Sequence, residues 1–236
     1  EVGQPGTPAP AAARDALAQA MQSDALGYTV AMGLPALRAR IARLYGDWYD
    51  VDLDPARVVV TPGSSGGFIL AFSALFDAGD RVVLGAPGYP SYRQILKAMD
   101  LVPVEVETAP ENRLQPVPSD LEGLDYDGLM VASPANPTGT MLDRDAMAAL
   151  IETCHARGAT FLSDEIYHGI EYDKKAVTAF TLAFLVYNLK WLWAWVVDGV
   201  RLPVIGRLRK DLSKNNPGLL LLAKGRERGS QQEPAL

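Results

Sequence analysis

The sequence predicts an α/β fold, a mainly parallel sheet flanked by helices on both faces. Three observations carry this. Short apolar runs alternate with helical segments from Arg57 to Asp164, as in strand–helix–strand units whose strands run parallel. The runs VVV (Val58–Val60) and LMV (Leu129–Val131) are apolar at every position, as strands covered on both sides must be. The intervening segments carry helix end signals, such as Asp143 before one helix and Gly158 after it.

The elements follow in order. EVGQPGTPAP is Pro/Gly-rich and irregular. Ala11 to Met21 is a predicted helix, with Ala13, Leu17 and Ala20 on one stripe. Gly27 to Pro35 is a loop. Pro35 opens a helix that directs Leu37, Ile41 and Leu44 toward the core. RVVVT (Arg57–Thr61) is a predicted buried strand, broken by PGSSGG and followed by an apolar helix from Phe68 to Phe76. Strand Asp80–Leu84, helix Pro90–Met99 and strand Val102–Val106 come next. Residues 111–125 are mostly connection. Strand Gly128–Ala132 leads into SPANPTG. A helix capped by Asp143 then puts Met147, Leu150, Ile151 and Cys154 on one face, and strand Ala159–Ser163 ends at Asp164.

Composition narrows the function classes. The 236 residues can bury a sizeable core. A net charge of −6 argues against nucleic acid, whose phosphates demand a basic face. Cys154 is the only cysteine, so no disulfide forms within the chain, and a reducing, cytoplasmic setting is expected. Cys154 with His155 beside it is not a metal site, and none is expected. No signal-peptide pattern opens the sequence. The apolar segment 176–197 is long enough to span a bilayer and is followed by Arg201, Arg207, Arg209 and Lys210. A buried segment of a globular core is the alternative, and the preferred one.

Four loops at the carboxyl ends of strands carry the chemistry, since ligands of open α/β sheets bind there. TPGSSGGF opens a helix with Gly63, Ser64, Ser65 and Gly66; small residues, hydroxyls and a helix N-terminus suit a phosphate, and a capping turn explains them equally well. In GAPGYPSY, Tyr89 is held between Gly88 and Pro90, as the wall of a pocket for a flat ligand or as a turn tyrosine. In SPANPTG, Asn136 precedes Pro137, which favours an extended backbone; it can donate to a ligand or close the turn. In LSDEIYHGIEYD, Asp164 ends an apolar strand. A buried carboxylate needs a cation, and no Lys or Arg is near in sequence. A protonated heterocycle nitrogen satisfies it, with Tyr167 as a further donor; a turn-capping Asp is the plainer alternative.

Taken together, GYTVAMGLPALR, TPGSSGGF, FDAGD, GAPGYPSY, SPANPTG and SDEIY resemble the class I/II aminotransferases, pyridoxal-phosphate enzymes of the aspartate aminotransferase fold, from about Glu1 to about Asp173. The resemblance implies a large cofactor domain over 27–175, preceded by a segment of the small domain over 1–26 and followed by a divergent apolar segment and polar tail over 176–236. It implies that Ser64, Ser65 and Gly66 hold the cofactor phosphate and that Tyr89 stacks on the ring. Asn136 and Tyr167 bond the phenolic oxygen, and Asp164 pairs with the ring nitrogen. Tyr28 reaches the phosphate of the neighbouring subunit of a homodimer, and Gly3 lies beside the substrate carboxylate.

The family also needs a lysine that forms a Schiff base with the cofactor aldehyde. No Ser-x-Ser-Lys-like segment follows Asp164; Lys190 is the nearest candidate, and Lys174 and Lys175 lie too close to the Asp. No small-domain arginine region is recognisable. The expectation is therefore an aminotransferase moving an amino group between an amino acid and a 2-oxo acid, impaired if no lysine serves. The alternatives are a non-catalytic cofactor-binding remnant, a lyase of the same fold, and a membrane-tethered fragment.

Overall fold

Four short strands pair into one sheet. The structure, a computed structural model, describes residues 8–24 and 27–170. Strands β1 (Arg81–Ala86), β2 (Val102–Glu107), β3 (Gly128–Ala132) and β4 (Thr160–Asp164) run in the order β2-β1-β3-β4, all parallel. Helices α1 (Ala11–Ser23), α2 (Pro35–Tyr49) and α3 (Gly63–Leu75) precede the sheet; α4 (Pro90–Ala98) joins β1 to β2, and α5 (Arg144–Arg157) joins β3 to β4. The expected α/β architecture is thus present, with helices on both faces.

Alternation of side chains along each strand builds two cores. Val83, Leu129, Val131 and Phe161 point to one face, under Met147, Leu150 and Cys154 of α5. Val82, Leu84, Met130 and Leu162 point to the other, under Phe72 and Leu75 of α3 and Tyr92 and Leu96 of α4. Both ends of α5 follow from sequence. The Asp143 carboxylate accepts from the Ala146 amide at 2.9 Å, and Gly158 adopts a left-handed φ of 73° that stops the helix.

Three expectations need correction. RVVVT is not a strand. Pro55–Arg57 forms a 3-10 turn, and beyond it the Val60 amide donates to the Met32 carbonyl at 3.0 Å while the Val58 carbonyl accepts from Arg38 Nε at 2.8 Å. β-branched residues favour strands only where a neighbouring strand offers a ladder, and these backbone groups turn instead to the loop and helix of α2. Helix α3 starts at Gly63, not Phe68; Gly and Ser suit a first turn, whose amides lack intrahelical acceptors anyway. Leu37 does not face a core: it is 44% exposed, and Ala42 is the buried residue of α2. Helix α1 lies as expected, but none of its residues is buried among the described residues.

Gly3, Lys174, Lys175, Lys190, the segment 176–197 and Arg201 lie outside the described residues. Among the described residues, no helix is long and apolar enough to cross a membrane.

Candidate functional site

Strand order reverses between β1 and β3: the chain leaves β1 outward to β2, then returns past β1 to β3 and β4. The carboxyl ends of β1 and β3 therefore diverge into a crevice. A hollow occupies it, lined among others by Gly85, Tyr89, Tyr92, Gln115, Ala132 and Asn136. The turn after β1 is too tight for side chains at its glycines, since a Cβ on Gly88 would stand 2.6 Å from the Gly85 carbonyl oxygen. That tightness delivers Tyr89 to the N-cap of α4.

Asp164 is the last residue of β4, and only 9% of it is exposed. Its Oδ2 accepts from the Tyr92 hydroxyl at 2.6 Å and its Oδ1 from the Ile166 amide at 3.0 Å. Both donors are neutral, and no ion pair joins Asp164 to a cation among the described residues. Burial, and then the hydrogen bond and charge of Asp164, push the Tyr92 phenol above its ordinary value. Tyr92 therefore remains a protonated donor throughout the physiological range.

Tyr92 is also the hub of an aromatic cluster. Tyr89 meets it edge to face at 5.4 Å, and Phe68 of α3 does so at 5.3 Å. Ser64, Ser65 and Gly66 lie in the first turn of α3, just before Phe68, whose ring meets Tyr92, the donor to Asp164. Pro62, the N-cap, supplies no side-chain cap to the first-turn amides.

The loop after β3 brings Asn136 across. Asn136 Nδ2 donates to the Tyr167 hydroxyl at 3.3 Å. Because Tyr167 accepts this bond, its own proton is available elsewhere. The loop is pinned by Gln115, which is buried and whose Nε2 donates to the carbonyls of Ala132 and Thr140, each at 3.1 Å. The Asn136–Pro137 peptide is cis.

Among the sequence candidates, then, Tyr89 and Asn136 line the hollow, Asp164 is joined to it through Tyr92 and Tyr167 through Asn136, and Ser64, Ser65 and Gly66 lie one turn before Phe68, which meets Tyr92. Tyr28 stands apart, fully exposed in the loop before α2, with no hydrogen bond or ring contact to the others among the described residues. Three residues escaped the sequence reading. Tyr92 sits three positions after Tyr89, and that spacing places both on one side of a helix start. Gln115 falls in a stretch read as mere connection. His168 directly follows Tyr167, inside the stretch already singled out.

Comparison with known proteins fits this geometry. A model of the family "aminotransferase class I and II" matches residues 1–204, and the chain belongs to that family. It is 47% identical over 173 residues to the valine–pyruvate aminotransferase of Mycobacterium tuberculosis, covering 72% of this chain and 45% of that protein. A crystal structure from Silicibacter pomeroyi, provisionally described as an aminotransferase, is 70% identical with a TM-score of 0.71 over 77% of this chain and 46% of that one. Aspartate aminotransferase from Thermus thermophilus superposes with a TM-score of 0.73 at 27% identity, over 77% of this chain and 48% of the other. The chain spans about half the length of the curated relatives it matches. The family's cofactor is pyridoxal phosphate.

Proposed function

We propose that this chain carries the cofactor-binding part of a pyridoxal-phosphate-dependent aminotransferase, which moves an amino group between an amino acid and a 2-oxo acid. One observation carries the reading. Asp164 is a buried carboxylate held by two neutral donors, and a buried charge is tolerated only when a partner offsets it. A protonated pyridine nitrogen is such a partner, and the carboxylate keeps acceptor capacity beyond the two bonds it makes.

The surrounding residues fit the rest of the group. The first turn of α3 offers amides and the hydroxyls of Ser64 and Ser65 to a phosphate. Tyr89 presents a ring to a flat ligand. Tyr167, already accepting from Asn136, would donate its own proton to a phenolic oxygen. When bound, the cofactor supplies an electron-withdrawing ring that eases loss of a proton from the substrate's α-carbon. Asp164 favours the protonated ring nitrogen, which strengthens that withdrawal, and Tyr92 keeps the Asp164 carboxylate oriented. By the same reading two copies pair, Tyr28 of one serving the phosphate of the other, and Gly3 lies at the substrate carboxylate. The likeness to valine–pyruvate aminotransferase makes valine and pyruvate the first pair to assay.

A second reading, a binding remnant without catalysis, rests on the lysines. Lys97, in the last turn of α4, is the one lysine among the described residues, at the far end of that helix from Tyr89. Catalysis thus requires a lysine beyond residue 170, with Lys190 as the candidate. Adding pyridoxal phosphate to the full chain, followed by borohydride reduction and peptide mapping, separates the readings. A reduced adduct on Lys190 or a neighbouring lysine, with activity on an amino acid, supports the enzyme. Tight binding without an adduct supports the remnant. No binding overturns both.

A further inference from the structure

Tyr167 and Asn136 come from different loops, and their mutual bond is long at 3.3 Å. Something must hold those loops at a fixed separation. His168 spans the gap. Its Nε2 lies 2.9 Å from the Ser133 carbonyl oxygen, an acceptor only, so Nε2 carries the proton. Nδ1 is then the acceptor for the Tyr49 hydroxyl, from the last turn of α2. The Tyr49 and His168 rings also pack at 5.5 Å. Only 7% of the His168 side chain is exposed.

Each end of this strut is itself anchored. The Ser133 amide donates to the Asp164 carbonyl at 3.1 Å, and its hydroxyl oxygen accepts from the Leu142 amide at 3.0 Å. On the other side the Glu165 carboxylate, three residues before His168, takes a side-chain hydrogen bond from Tyr45 of α2. Gly169 lies against α2 with a φ of 85°, where a Cβ would overlap the Trp48 indole.

We propose that His168 is a positioning residue. It locks the loop bearing Tyr167 to the loop bearing Asn136, and through Tyr49 it ties both to α2. The inference rests on the proposed role of Asn136 and Tyr167 at the cofactor's phenolic oxygen. Loss of the strut loosens the pair of donors while leaving Asp164, Tyr89 and the α3 turn in place.

The test compares two ligands of the full chain, pyridoxal phosphate and its 3-O-methyl ether, in which the phenolic oxygen is capped. Wild type binds the uncapped ligand more tightly. His168→Asn, too short to reach Ser133, weakens pyridoxal phosphate by about tenfold and leaves the capped ligand within about twofold. His168→Gln keeps a donor at the Nε2 level and restores most of the preference; Tyr49→Phe falls between. Equal weakening of both ligands by His168→Asn, or no weakening of either, overturns the inference. A wild type that does not distinguish the ligands overturns instead the reading of Asn136 and Tyr167. Amide exchange in the cofactor-free chain then decides the strut by itself: His168→Asn speeds exchange at Ser133 and Gly139 and leaves α5 unchanged, whereas unchanged exchange at both loop amides overturns it.

Discussion

The two faces of the sheet are cut from the same strands, residue by alternate residue, yet they serve different ends. On the α5 face Val83, Leu129, Val131 and Phe161 meet Met147, Leu150 and Cys154, and none of these packed side chains carries a charge. On the α3/α4 face an equally apolar floor ends, at the carboxyl edge, in the Tyr92–Asp164 pair. One face spends its burial on stability. The other accepts a buried charge, which costs stability unless something offsets it. A parallel sheet in this chain thus separates support from chemistry by parity of position.

That contrast can be broken from either side. The largest effect is expected from Leu150→Ala. The side chain is fully buried under α5, and the cavity should destabilise the chain by about 2–5 kcal/mol in chemical denaturation, with pyridoxal-phosphate affinity retained under folding conditions. Asp164→Asn should do the reverse: affinity for pyridoxal phosphate falls by about 10- to 100-fold, while the denaturation midpoint stays near that of wild type. Titration of cofactor absorbance or tryptophan quenching reads the first quantity, and an Asn variant that binds like wild type would remove Asp164 from the site.

Tyr92→Phe sharpens the comparison, because it leaves one oxygen of a buried carboxylate without its donor. It should lower stability by about 1–2 kcal/mol even without cofactor, despite the small change in volume. The smallest effect concerns pH. Burial pushes the Cys154 thiol up to about 12, with Arg157 opposing. A raised folded-state value means stability is fully present below the unfolded thiol's pKa, about 8.5, and declines as pH rises from there toward 12. Replacing Cys154 by Ala should flatten that alkaline decline. In the wild type, alkylation at neutral pH should await unfolding.

Much of this was legible in the sequence where the signal is local. Asp143 and Gly158 mark α5 by chemistry contained within a single turn. The strand after α5 and its terminal Asp164 follow from an apolar run and its end. RVVVT misled because β-branching reports a preference, whereas a strand requires a neighbour, and its backbone found Met32 and Arg38 instead. Tyr92 was illegible for a related reason. At its place in α4 a tyrosine reads as a core aromatic, and only the fold brings it to a carboxylate distant in sequence. His168 and Gln115 likewise act through bonds to backbone carbonyls, which leave no residue pattern to recognise.

The strand order has a kinetic corollary. The pairings that α4 and α5 close, Arg81 with Val102 and Gly128 with Thr160, join nearer parts of the chain than the central one, Val82 with Gly128. Contacts between distant segments must meet their loop-closure entropy before they gain any bonding, so they tend to form late. The nascent chain should accordingly assemble two strand–helix–strand halves first and dock them afterwards, and the ligand cleft comes into being only at that docking.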